Sequence, residues 1–289
     1  MRKLLLLLLL ITGVELCIAQ QLSSGLLKNK PVSQKVSAFK STRIINAQSS
    51  EMLAPGTMDF RILHRFGKVS QGIKQFFGLD QASFRMGFDF GITNNFMAGI
   101  GRSTFGKDID GFAKYRFLQQ TSGEKEIPVS LLLITGASVR TGRSLDINTP
   151  DPTFIQRSSA YFQGIAARKF SEKFALQLSP IILLRNRVDM NEDNVTFALG
   201  GGARYKISRM MAITADYHHT ISGLAKGAQD PLSIGIDIET GGHVFQLHFS
   251  NSTGLSERAY LTETFDKFFR GDIRFGFNLS RIFYVNHRK

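Results

Sequence analysis

The sequence predicts an all-β chain: an antiparallel transmembrane up-and-down β-barrel of about twelve strands. Three observations predict it. Short segments that alternate apolar and polar residues recur from residue 58 onward. No apolar run reaches the ~20 residues that a membrane-crossing helix needs. Short connections alternate with longer ones, the pattern of a barrel with turns on one side of a membrane and loops on the other.

At the N-terminus, Arg2 and Lys3 precede the apolar run 4–11, and Cys17-Ile18-Ala19 resembles a small-residue cleavage site. Residues 1–19 are therefore predicted to be a signal peptide cleaved after Ala19. The rival is a lipid anchor on Cys17, but Leu16 stands where that motif wants a small residue. Cleavage would remove the one cysteine, leaving no thiol for a disulfide or a Cys-ligated metal. Residues 20–57 read as a periplasmic lead. Its first part, 20–40, is polar and expected to be mobile, with Lys28, Lys30, Lys35 and Lys40. The segment 42–48 is short and strand-like, and its place in the wall stays open.

The wall is predicted over 58–283, with 284–289 as a tail. Its strands are 58–66, 83–92, 96–105, 111–118, 128–140, 159–170, 174–185, 195–207, 211–222, 232–239, 243–249 and 272–280. The cleanest places Phe84, Met86, Phe88, Phe90 and Ile92 on one face and Arg85 and Asp89 on the other. Segment 128–140 is more uniformly apolar. Gly241-Gly242 suits a two-residue hairpin turn, which would pair Thr240 with His243 and set Ile238, Ile236 and Ile234 beside Phe245, Leu247 and Phe249. All six then share one face, as a lipid-facing surface demands. A soluble β-sandwich is the structural rival, but no covering helix or second apolar set is evident in the sequence.

The chain has 289 residues, formal net charge +13, 27 Gly, 25 Phe and no Trp. Removing Arg2, Lys3 and Glu15 with the signal lowers the charge to +12. A basic excess can serve nucleic acid, anionic lipid or an anionic solute. Export argues against nucleic acid, and the Lys and Arg are dispersed at alternate strand positions. Phe suits a lipid-facing band and Gly suits close packing in a wall.

Several segments resemble an uncharacterised β-barrel family of Bacteroidetes outer membranes, a domain of unknown function. They are Ser41-Thr42-Arg43-Ile44-Ile45-Asn46, Met58-Asp59-Phe60-Arg61, His64-Arg65-Phe66-Gly67, Phe77-Gly78-Leu79-Asp80 and Gly99-Ile100-Gly101-Arg102-Ser103. The ending Gly271-Asp272-Ile273-Arg274-Phe275-Gly276-Phe277 through Phe283 is the most similar. The resemblance implies fold and outer-membrane location and brings no activity. The last strand also looks like the C-terminal aromatic signal read by the barrel-assembly machinery, although residues 284–289 continue past Phe283.

The lumen-facing basic candidates are Arg61, Arg65, Arg85, Lys114, Arg116, Arg204, Lys206 and Arg274. The acidic and histidine candidates are Asp89, Asp216, His218, Asp237 and His248, with Asp59, Glu239 and Asp272 also inward. One reading is a basic-biased lumen that favours small anionic solutes. The other is a lumen plugged by cross-paired charges, with inward Leu63 and Phe112 taking up space.

His218 and His248 fall two strands apart, too far to share a metal without a third ligand, so no metal or cofactor is expected. Asp216, His218 and Thr220 share a face, but their spacing of about 7 Å along the strand is too wide for a catalytic relay. The run 189–194 copies half a calcium loop, with Asn194 where Gly is needed and Gly200 where Glu is needed. Val69, Ile73, Phe76 and Phe77 have helical spacing and could form a short amphipathic helix on the barrel, as could Phe265, Phe268 and Phe269.

Two functions fit. One is a pore or transport component for small, anionic-biased solutes. The alternative is a non-conducting barrel that scaffolds or binds a partner. Neither is an enzyme. The expected partners are outer-membrane lipid, the barrel-assembly machinery and a small anionic solute, with no nucleic acid.

Overall fold

A computed structural model describes residues 33–142, 151–188, 192–240 and 243–285. Twelve strands form the wall. They are β1 (Thr57–Lys68), β2 (Ala82–Gly91), β3 (Phe96–Ser103), β4 (Asp108–Leu118), β5 (Ser130–Arg140) and β6 (Ser158–Lys169), followed by β7 (Phe174–Arg185), β8 (Val195–Lys206), β9 (Met211–Ser222), β10 (Leu232–Thr240), β11 (His243–Ser250) and β12 (Arg274–Tyr284). Each pairs antiparallel with its neighbour in sequence, and β12 pairs back with β1, so the sheet is a closed barrel without free edges. The predicted fold class is the observed one. The predicted strand 272–280 is corrected to Arg274–Tyr284. Asp272 lies in the preceding loop, where its Oδ1 accepts a hydrogen bond from Ser70 at 3.4 Å.

Side chains alternate across the wall as the two-residue period requires. Along β7 every second residue is buried and the others are exposed. The exposed set is apolar: Met86, Phe88 and Phe90 on β2, Leu176, Leu178 and Ile182 on β7, Ile234 and Ile236 on β10. The predicted register of β10 and β11 is observed, from Thr240 opposite His243 to Ile234 opposite Phe249. None of the described helices is long and apolar enough to cross a membrane.

The lead departs from expectation. Its residues 20–32 lie outside the described residues. From residue 38 the chain is inside the barrel: Phe39, Ile44, Ile45, Asn46, Ala47, Gln48 and Ser49 are all buried. It forms a hairpin closed by Ile44 N–H to Ala47 O and Ser49 N–H to Thr42 O, both 2.9 Å, with Arg43 bridged to Gln48. The segment 42–48 thus belongs to the lumen and not to the wall. The hairpin enters beside Gln120 and leaves through Ala54 beside Gly91, at the same, short-turn end.

The lumen is also entered from the long-loop end. The connection between β11 and β12 folds inward and carries a short helix, Glu257–Thr262, every residue of which is buried. The inner face therefore has an apolar core that the sequence reading did not identify. Leu132, Ile134, Tyr161, Ile165, Ile181 and Leu183 of the wall cluster with Phe39 and Ile44 of the hairpin and Tyr260 and Leu261 of the loop helix.

Neither loop segment with helical spacing forms an amphipathic α-helix. Residues around Ile73 form two 3-10 turns, Val69–Gln71 and Ile73–Gly78, broken by positive φ at Phe76 (44°) and Phe77 (54°). Phe268–Arg270 is a single 3-10 turn. Ile73, Phe76, Phe77, Phe265 and Phe269 are exposed.

Candidate functional site

The lumen is built from two inserted segments and the side chains that grip them. Asp216 Oδ2 accepts from the backbone N–H groups of Ile45, Asn46 and Ala47 at 3.1, 2.7 and 3.0 Å. A turn that aims successive N–H groups at one point binds an anion, and here the anion is a wall carboxylate. Lys114 does the converse. Its Nζ donates to the carbonyls of Thr42, Ser49 and Glu51 at 3.3, 3.0 and 3.2 Å, using all three ammonium protons. Gln246 donates to Ile44 O, Asn278 to Ile45 O (3.0 Å) and Gln177 to Gln48 O (2.6 Å). The wall thus recognises the hairpin mainly by its backbone.

The other inward charges are also engaged. Arg61 binds Asp59 and donates to Ser41 (2.9 Å) and Thr42 (2.7 Å) of the hairpin. Arg85 grips Asp110 with two bonds of 2.8 and 2.5 Å. Arg65 reaches both insertions: Asn46 Oδ1 at 2.9 Å, Ser252 O at 2.9 Å, and His248 Nε2 at 3.1 Å. Asp89 accepts from Thr42 Oγ1 at 3.4 Å. Asp237 accepts from Thr214 (3.1 Å) and Gln246 (2.9 Å). His218 packs its ring against Tyr260, 5.0 Å between centroids.

Other candidates lie at the rims. Arg116 holds the turn at Asn94 (2.6 Å), and Arg204 pairs with Glu239 (2.5 Å), which also binds Lys40 (3.3 Å). Lys206 is half-buried at the short-turn end. Arg274 pairs with Asp266 at 2.5 Å at the opposite end. Of the acidic run 189–194, 189–191 lie outside the described residues, and Glu192 pairs with Arg185 at 2.5 Å.

The two insertions meet at mid-lumen. Arg43 of the hairpin and Glu257 of the loop helix form a buried ion pair at 3.0 Å, and Gln48 Nε2 lies 3.4 Å from the same carboxylate. Burial works against the Arg43 charge, but Glu257, together with Tyr161, Asp89 and Asp110, holds the guanidinium above the ordinary arginine range. Burial and the Glu257 charge push the Tyr260 hydroxyl well above its usual range. Burial likewise raises the Glu51 carboxyl, although it accepts from Ala38 and Phe39 N–H, both at 2.9 Å. Arg43, Glu51 and Glu257 were not among the sequence candidates, because their positions show no alternation in a wall strand.

Beyond the loop helix, at the long-loop end, lies a cavity of about 770 Å3. Arg258 closes its floor, bonded to Asp108 (2.6 Å) and Glu263 (2.5 Å). Burial lowers the Arg258 pKa, yet these two carboxylates hold it above the ordinary value. Arg140 joins Glu263 from the rim. Lys68 (2.6 Å) and Arg274 keep Asp266 below the usual carboxylate range against the upward push of burial.

A family model described as "Membrane bound beta barrel domain (DUF5777)" matches residues 39–283. The chain belongs to this family. The match begins at Phe39, so it takes in the lumen hairpin as well as the wall. The protein is accordingly a membrane-bound barrel, and its exposed apolar band is the surface that meets lipid. Among solved structures, the NanC porin is similar over 78% of this chain and 98% of its own, at 7% identity and TM-score 0.47. The KdgM porin is similar over 80% and 99%, at 7% identity and TM-score 0.45. The toluene transporter TodX of P. putida aligns over 70% and 46%, at 11% identity and TM-score 0.26. No curated protein matches the chain.

Proposed function

We propose that the protein is an outer-membrane barrel that is closed at rest and serves as a scaffold or binding protein. The observation that carries this reading is the Arg43–Glu257 ion pair, where insertions from opposite ends join inside the lumen. An open pore needs hydrated side chains along its axis. Here Lys114, Asp216 and Gln246 are spent on hairpin backbone. Asp216 and His218 serve packing and anchoring, and the reading gives them no catalytic step. The predicted signal peptide, the even strand number and the alternation of short turns with long loops support the outer membrane, as does the Bacteroidetes family resemblance.

Conduction of small anionic solutes is the second reading, and it requires the hairpin to leave. The hairpin enters and exits at one end, which is the topology a withdrawable segment needs. Planar-bilayer recording of the purified protein separates the two. The closed reading expects silence from the full chain and stepwise conductance once 38–53 is replaced by a Gly-Ser linker. Heat-modifiable gel migration shows that both barrels are folded. Anion-selective steps from the full chain, equal to those of the deletion, would overturn it.

A further inference from the structure

The cavity at the long-loop end has features of a ligand site. Its volume of about 770 Å3 lies within the ~300–1,000 Å3 usual for small-molecule sites. Inner-wall side chains such as Arg185 and Arg274 form its sides, so it opens to water and is screened from the bilayer. Seven cationic side chains line it against three carboxylates.

Those carboxylates are already taken: Glu192 by Arg185, Glu263 by Arg140 and Arg258, Asp266 by Lys68 and Arg274. Arg157, which ends the short helix Phe154–Arg157, and Arg187, just beyond β7, stand in no ion pair among the described residues. An oxyanion in the cavity would be met by the guanidinium groups of Arg157 and Arg187, which line it. Guanidinium groups converge from a loop helix, a strand end and the floor helix. A tetrahedral phosphate, with more acceptor oxygens than a planar carboxylate, suits that convergence.

We propose that this cavity binds a soluble small molecule bearing phosphate, held by Arg157 and Arg187 above the Arg185 and Arg258 floor. The site depends on the closed-lumen reading only for that floor, and the two fail separately. A silent barrel that does not bind refutes the site alone, and a conducting barrel that binds refutes the closure alone.

The test is titration calorimetry of the detergent-purified full chain at low ionic strength, with inorganic pyrophosphate as probe and sucrose as neutral comparator. Saturable one-to-one binding of pyrophosphate, weakened by added salt, is expected. The double variant Arg157→Ala, Arg187→Ala should weaken it by about ten-fold or more, because it removes both unpaired guanidinium groups. Lys173→Ala, at an exposed position in the opposite turns, should leave it unchanged. Arg187 and Lys173 are exposed and Arg157 is half-buried, and gel migration confirms folding. Absence of saturable binding, equal binding of sucrose, or wild-type affinity in the double variant would overturn the proposal.

Discussion

The inner wall has two halves that hold the same hairpin by different means. On β12, β1, β2 and β4 most inward residues are charged or strongly polar, among them Asn278, Asp59, Arg61, Arg65, Arg85, Asp89, Asp110 and Lys114, with Leu63 and Phe112 as apolar exceptions. On β5 to β8 they are mostly apolar or neutral, among them Leu132, Ile134, Tyr161, Ile165, Ile181, Leu183 and Ala198, with Arg185 and Arg204 charged near the strand ends. The charged half bonds to hairpin backbone and to Ser41 and Thr42, and the apolar half packs on Phe39 and Ile44. The contrast teaches how to read a barrel lumen. Inward charge alone does not mark a solute path, because a buried segment needs charges just as a solute does. Inward apolar residues are more telling, because a water-filled lumen has no use for them.

The largest effect is expected in the charged half. Arg61→Leu leaves Asp59 buried with only Ser280 as a partner, at 2.6 Å, and should cost about 3–5 kcal/mol in urea unfolding of the micelle-bound barrel. A cost below ~1 kcal/mol would show that water reaches Asp59. In the apolar half, Ile44→Ala should cost about 2–3 kcal/mol, the low end for such truncations because Gly202 leaves the hairpin room to settle. If Ile44→Ala proves neutral, the apolar half does not hold the hairpin and the comparison breaks.

The wall was legible because it obeys a two-residue period that lipid enforces on one face. Phe84 to Phe90 and Ile234 to Ile238 show it, and a hairpin turn expected at the glycine pair 241–242 predicts the observed register of β10 and β11. The inward candidates were legible by the same parity, from Arg61 to His248. The lumen content was not, because a hairpin held by its backbone carries no periodic signal. Ser41, Asn46 and Ser49 read as loop residues. A signal was nonetheless present: 131–134 and 181–184, within the segments 128–140 and 174–185, are apolar on both faces. Leu131 and Leu133 face lipid while Leu132 and Ile134 face inward, and an inward pair of that kind requires an apolar partner inside. Glu257 and Arg258 were hidden for another reason. They sit in a long loop, and nothing local says that the loop turns inward.

Smaller effects sharpen the account of the ion pairs. The double change Arg85→Met, Asp110→Leu should be close to neutral, while either change alone is strongly destabilising, since each single variant strands a buried charge. Equal and additive costs would mean that the pair is solvated. The smallest effect concerns pH. Burial raises the Glu51 carboxyl, so the folded hairpin binds its proton more tightly than the unfolded chain does. The stability this group contributes is then lost as pH rises from the ordinary glutamate range through the raised value, and is level beyond it. Glu51→Gln should flatten that fall in a plot of urea midpoint against pH, and an unchanged slope would assign the fall to another group.

The central claim is that residues 38–53 occupy the lumen of the membrane-embedded barrel. A side chain at Gly202 would fall against Ile44, which makes these two positions neighbours across the hairpin and β8. The direct measurement is disulfide formation in the Ile44→Cys, Gly202→Cys double variant, oxidised in intact outer-membrane vesicles and read by non-reducing gel. The account predicts a near-complete cross-link that returns to free thiol on reduction. Two unpaired thiols that both react freely with a maleimide under the same oxidation would contradict it.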